Sequence, residues 1–167
     1  MQFYSTNRKT SPVSLCEAVV RGLAADRGLF MPEVIRRFPP AFYQNMKEMT
    51  LREISFVVAE AFFGEAGKLK EIVDETLNFD IPLVQVADNR YSLELFHGPT
   101  LAFKDVGARF MARLLAYFNK QEGERQVNVL VATSGDTGSA VANGFLDVPG
   151  VKVFVLYPQG KVSEIQE

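Results

Sequence analysis

Apolar side chains recur at helical spacing through the first part of the chain and change to strand-like alternation further on. Leu15, Ala18, Val19 and Leu23 predict a short helix between Ser14 and Gly22, with Ser14 as its N-cap and Glu17 completing a capping-box pattern. Asp26-Arg27-Gly28 reads as a turn, and Pro32, Pro39 and Pro40 then leave room only for brief helical pieces. Thr50 with Glu53 is a second capping box ahead of Leu51, Ile54, Val57, Val58 and Ala61, a helix that should stop near Gly64. A third helical pattern runs from Ala66 to Leu77. Residues 1–80 are therefore expected to form a mainly helical region that packs but carries few chemical candidates.

The pattern changes at Pro82. Leu83 to Ala87 and Tyr91 to Phe96 alternate apolar and polar positions around Asp88-Asn89, which predicts two strands joined by a tight turn. His97 to Thr100 is a loop, and a helix follows with Val106, Phe110, Leu114, Ala116 and Phe118 on its apolar face. Gln126 to Ala132 is apolar enough for a strand inside a sheet covered on both faces. After the tight turn Thr133 to Thr137, a helix through Ala140 to Phe145 leads to a second such strand, Val151 to Tyr157, which ends at Pro158. Strand, helix and strand of these lengths make a βαβ crossover, so the sheet should be parallel. Residues 81–167 thus read as a partial α/β domain, because Gly160 to Glu167 opens a new segment with no closing strand or helix after it. No internal repeat or low-complexity tract is present.

Composition narrows the function classes. The 167 residues are 47% apolar and 23% charged, with 18 Lys+Arg against 20 Asp+Glu and a net charge of −2. Enough apolar surface exists to order the chain, and no basic excess exists to displace counterions from a nucleic acid. A single Cys, Cys16, excludes an intrachain disulfide, and with the single His97 it excludes a Cys/His zinc site within this chain. No apolar run reaches transmembrane length, and the first ten residues lack the apolar centre of a secretory signal, so a cytoplasmic protein without membrane or nucleic-acid partners is expected.

In open α/β sheets ligands bind beyond the carboxyl ends of strands, which directs attention to the loops His97 to Asp105 and Thr133 to Gly138. The second gathers hydroxyls and two glycines at a helix start, where backbone N–H groups and the helix dipole favour an anion. Asp136 would repel a phosphate dianion, so a zwitterion such as an amino acid suits the loop better. The alternative is that Ser134, Asp136 and Thr137 only cap the helix while Gly135 and Gly138 allow the turn. Dinucleotide, P-loop and hydrolase-elbow spacings are all missing here.

Lys104 follows Phe103 at the first turn of a helix, where partial burial and the positive end of the dipole both disfavour an ammonium. A lysine kept as a neutral amine can attack an aldehyde, and the chemistry that follows is Schiff-base formation, as with pyridoxal phosphate. The competing reading makes Lys104 a solvated helix-start residue with Asp105 as its ion partner. His97 reads as a loop residue bonded to backbone rather than as a proton shuttle. The aromatics Phe62, Phe63, Phe110 and Phe118 read as core.

The stretches from Glu94 to Asp105 (ELFHGPTLAFKD) and from Ala132 to Ala142 (ATSGDTGSAVA) resemble the two signature stretches of the threonine synthase family, pyridoxal-phosphate enzymes of fold type II. The likeness extends to Tyr4-Ser5-Thr6, to Gly22 through Pro32 and to Tyr157 through Ser163, with one departure at Arg27, where the family usually has glycine. It implies a helical N-terminal region followed by the start of a mostly parallel αβα sheet of the type II fold, truncated. It implies, too, that Lys104 forms the Schiff base with pyridoxal phosphate and shuttles protons at Cα and Cβ of O-phosphohomoserine, giving threonine and phosphate. By the same likeness Phe103 packs on the cofactor, Thr133, Ser134, Gly135, Asp136 and Thr137 hold the amino-acid end of the substrate, and Lys161 and Ser163 meet its phosphate. The family's phosphate-binding glycine loop has no match in this chain, so an N-terminal fragment, inactive alone and prone to self-association, is expected. A related phospho-lyase or a non-catalytic amino-acid-binding module is the alternative.

Overall fold

In the computed structural model, which describes residues 1–64, 66–123, 125–133 and 135–163, Gln2–Ser5 (β1) is the middle strand of an antiparallel sheet. Val13–Ser14 (β2) pairs on one side of it, and on the other Phe30–Pro32 (β3), with Phe3 opposite Pro32 and Ser5 opposite Phe30. This sheet adds to a region expected to be mainly helical. Its strands of 4, 2 and 3 residues are too short to display an alternation, and a side-chain network stands where a longer ladder would.

Asp26 is the centre of that network. Its carboxylate accepts from the Ser5 hydroxyl at 2.5 Å, the Gly28 N–H at 3.0 Å and the Lys9 N–H at 2.9 Å, so one side chain ties β1 to the two loops beside it. The Ser5 hydroxyl pulls the Asp26 carboxyl below the usual aspartate range; desolvation opposes this, and the two backbone donors reinforce it. Arg27 sits at φ 66°, in the left-handed region that favours glycine, so the turn carries a conformation unfavourable for its side chain.

Two helices of this first unit, Met1–Glu75, start where their caps, Ser14 and Thr50, predict. Leu15–Arg21 (α1) opens on Ser14, whose hydroxyl accepts from the Glu17 N–H at 3.1 Å, while the Glu17 carboxylate pairs with Arg21 one turn on. Pro40–Asn45 (α2) is the brief helical piece that the prolines permit. Leu51–Phe63 (α3) has the complete capping box, with Thr50 and Glu53 each accepting from the other's N–H, and it ends on Gly64 at φ 72°. Leu69–Thr76 (α4) is shorter than the pattern from Ala66 suggested, and Leu69, Ile72 and Val73 are its buried face.

The second unit, Thr76–Glu167, begins with a hairpin. Leu83–Ala87 (β4) and Arg90–Leu93 (β5) pair antiparallel around Asn89 at φ 57°. The expected second strand reached Phe96, but the ladder stops at Leu93. The Pro82 carbonyl still accepts from the Glu94 N–H at 2.9 Å, and proline has no N–H to continue the pairing. Lys104–Gln121 (α5) then leads to Val127–Ala132 (β6), Asp136–Gly144 (α6) and Val151–Leu156 (β7). β6 and β7 pair in parallel, from Val127 opposite Val151 to Ala132 opposite Leu156, which is the expected crossover. Helix α5 packs on α6 so closely that a Cβ on Gly144 would lie 3.0 Å from the Ala108 carbonyl carbon. Ala112, Leu114, Leu115, Phe118, Ala140 and Phe145 are buried, whereas Val106, Phe110 and Ala116, expected on the buried face of α5, are only half-buried.

One expectation is corrected here. Among the described residues the β6–β7 pair is covered on one face only, and on the other Leu130, Phe154 and Leu156 are 73%, 47% and 62% exposed. An apolar run records which strand faces tolerate burial, not whether an element lies over both. No helix among the described residues is long and apolar enough to cross a membrane.

The Asp26 network sets the acid sensitivity of the first unit. With its folded-state pKa held below the unfolded value, Asp26 contributes stability that is present above the unfolded pKa of about 3.9 and lost as pH falls through the folded one. Asp26→Asn should therefore lower the melting temperature at pH 7, and the gap from wild type should narrow in scans taken below about pH 4. Gly28→Ala should unfold more readily at every pH, because its Cβ would lie 2.0 Å from Ser5 Oγ.

Candidate functional site

The approach to α5 is a tight loop built from its own polar groups. The Leu101 N–H donates to the Gly98 carbonyl at 3.0 Å, and Leu101 itself lies at φ 56°. Asp105, in the first turn of α5, is fully buried and accepts from the Thr100 N–H at 2.9 Å and from the Thr100 hydroxyl. Gly98 packs on that carboxylate, since a Cβ there would fall 2.5 Å from Asp105 Oδ2. Lys104 is the first residue of α5 and half-buried, with Nζ 5.1 Å from the centroid of the Phe103 ring, which is 62% exposed. Among the described residues no carboxylate lies within ion-pair distance of Lys104, so Asp105 is not the partner that the competing reading required. His97 bonds the Glu94 carboxylate at 2.6 Å and stacks on Phe96, a side-chain partnership where a backbone one was expected.

The loop leaving β6 is organised by Thr133. Its hydroxyl accepts from the N–H groups of Gly135 and Gly138, both at 3.1 Å, and its own N–H reaches the Leu156 carbonyl of β7 at 2.9 Å. Gly138 presses on the Thr133 methyl group, where a Cβ would lie 2.1 Å from Cγ2. Thr133 is thus a side chain that caps this turn, one that the capping alternative did not name. Asp136 and Thr137 are the first, exposed residues of α6, and Ser134 lies outside the described residues. Lys161 and Ser163 are exposed and follow β7 through a turn in which the Lys161 N–H meets the Pro158 carbonyl at 3.0 Å. Parallel pairing of β6 with β7 puts this turn and the Thr133 loop beyond the same, carboxyl, ends of the two strands.

Sequence reasoning passed over Thr100 and named Asp105 only as the ion partner in the competing reading of Lys104. An acidic residue in a first helical turn is ordinarily a dipole partner at the surface, and with Lys104 before it and Val106 after it the sequence carried no signal of its burial.

Residues 2–77 match the family model described as the threonine synthase N terminus. Across all of its length the chain is 42% identical to threonine synthase of Serratia marcescens, of which it covers 39%. It superposes on the crystal structure of the Escherichia coli threonine synthase with a TM-score of 0.89 at 41% identity, covering 100% of this chain and 39% of that one. The chain belongs to the threonine synthase family. A structure of pyridoxal-phosphate-bound threonine synthase from Brucella melitensis agrees at a TM-score of 0.92 and 35% identity, over 99% of this chain and 37% of that one. The chain therefore spans about two fifths of the length of these threonine synthases. Its Lys104 and Thr133 loops lie outside residues 2–77, in the part of the chain that the whole-length likenesses cover.

The Thr133 cap makes the shape of this loop testable. Gly138→Ala should destabilise the fold by about 1–3 kcal/mol in chemical denaturation, because the new methyl must displace Thr133. Adding Thr133→Ser, which removes Cγ2 and keeps the hydroxyl, should recover part of that loss.

Proposed function

We propose that this chain is the N-terminal part of a threonine synthase that converts O-phosphohomoserine and water to threonine and phosphate with pyridoxal phosphate, in the cytoplasm. One observation carries the reading: a primary amine without an acidic partner among the described residues stands at the first turn of α5, beside an exposed aromatic ring, in a chain akin to threonine synthases throughout its length. This donor set fits the cofactor, since an amine suits its aldehyde and a flat apolar ring suits its pyridine.

Lys104 would hold pyridoxal phosphate through Nζ, with Phe103 alongside. When bound, the cofactor supplies an electron sink that makes carbanions at the substrate's Cα and Cβ accessible. Lys104 moves the protons at those two carbons. The start of α6, with Thr133, Ser134, Gly135, Asp136 and Thr137, receives the amino-acid end: N–H groups at a helix start suit a carboxylate, and the Asp136 charge suits an ammonium. Thr133 shapes this loop from within, because its hydroxyl is already bonded to Gly135 and Gly138. Lys161 and Ser163 meet the substrate phosphate from the turn after β7. The 167-residue chain alone, spanning 39% of the length of its relatives, is inferred to bind the cofactor weakly and not to turn over.

Borohydride reduction of the full-length protein loaded with pyridoxal phosphate should label Lys104 in peptide maps and fail to do so in Lys104→Ala. A label on another residue would overturn the reading. Product analysis separates the alternatives, with threonine expected and a keto acid marking a phospho-lyase. The uncovered Leu130, Phe154 and Leu156 face should make the isolated chain self-associate, seen as a light-scattering mass that rises with concentration. A constant monomer mass would refute that.

A further inference from the structure

We infer that Asp105, acting through Thr100, is a positioning residue for Lys104: its buried carboxylate clamps the strained turn ahead of α5 and so fixes the direction in which the amine points. The inference rests on the pyridoxal-phosphate reading, whereas the clamp does not.

Two bonds from one carboxylate to one residue set an orientation as well as a distance. Oδ2 takes the Thr100 N–H at 2.9 Å and Oδ1 takes the Thr100 hydroxyl, so Thr100 cannot pivot about either bond alone. Between Thr100 and Lys104 the chain passes through Leu101 at φ 56°, a conformation unfavourable for a leucine and not repaid by burial, since that side chain is 66% exposed. Something outside Leu101 has to hold the turn. The Asp105–Thr100 clamp spans it, and Gly98, whose Cβ would strike Asp105 Oδ2, lets the backbone come close enough for the clamp to close. Asp105 also stands at the positive end of α5, where a carboxylate is favoured over its neutral amide. Lys104 is its chain neighbour, so any slackening of the turn is passed directly to the first residue of the helix.

The test uses the full-length enzyme with Asp105→Asn, which keeps shape but sets an amide donor against the Thr100 donors, and with Thr100→Val, which removes one bond. Thr100→Ser, which retains both, is the rescue. In Asp105→Asn and Thr100→Val, kcat and the borohydride-trapped fraction on Lys104 at subsaturating cofactor should each fall about tenfold or more, with KM changed by less than about threefold. Thr100→Ser should return both to near wild type. Hydrogen exchange at the Thr100 and Leu101 amides should accelerate about tenfold or more in Asp105→Asn. Folded variants that trap and turn over as wild type does would overturn the positioning role, whatever their melting temperatures. If wild-type Lys104 takes no label, the cofactor reading fails. The clamp is then judged by exchange alone, and unchanged exchange in Asp105→Asn overturns it too.

Discussion

A carboxylate taken out of water must find donors in the protein, and at Asp105 that requirement shapes everything around it. Leaving a buried charge unanswered costs on the order of several kcal/mol, while each hydrogen bond to a charged acceptor returns about 1.5–3 kcal/mol, so both Thr100 donors are needed. Meeting Thr100 brings Gly98 against the carboxylate, which excludes a side chain there, and turns the chain through the left-handed region at Leu101. Helix α5 can then begin at Lys104. The place of the amine is thus a consequence of where its neighbour is buried.

The same device, a short polar side chain answering backbone N–H groups across a turn, recurs in both units. Asp26 accepts from Ser5, Gly28 and Lys9 and stands in for the ladder that three short strands cannot supply. Thr133 accepts from Gly135 and Gly138 at the mouth of α6. In each case a glycine lies where the accepting group or its partner approaches the backbone too closely for a Cβ: Gly28 over Ser5, Gly98 over Asp105 and Gly138 over Thr133. Glycine here is a requirement of close approach rather than of turn dihedrals alone.

Features governed by residues near in sequence were the legible ones. The Thr50–Glu53 capping box, the Ser14 cap, the Gly64 stop and the parallel β6–α6–β7 crossover all follow from neighbours within a few positions or from periodicity. The β1–β3 pairing was hidden because Phe3 and Pro32 are far apart in the chain and no alternation marks strands so short. The end of β5 depended on Pro82, across the hairpin, and the open face of β6 and β7 on the absence of a covering layer among the described residues. In the candidate site, Lys104 and the Thr133 loop stood out by residue type, whereas the partnership of Thr100 with Asp105 did not. It spans five residues, a separation that neither helical nor strand periodicity singles out.

Holding a loop in shape and facing solvent make opposite demands on a side chain, and the two loops divide their residues between them. Asp105 and Thr133 turn their oxygens inward, and their bonds are made within the protein. Phe103, Asp136 and Thr137 are exposed, and Lys104 is half-buried without a carboxylate in reach among the described residues. The Thr133 hydroxyl is already engaged, accepting from the Gly135 and Gly138 N–H groups and donating to the Gly135 carbonyl, so a new partner there would have to displace one of those bonds. Within the string of hydroxyl and glycine residues from Thr133 to Thr137, Thr133 is bonded inward and imposes a shape, while Asp136 and Thr137 stand exposed at the start of α6. Equal residue types in one motif do not carry equal roles.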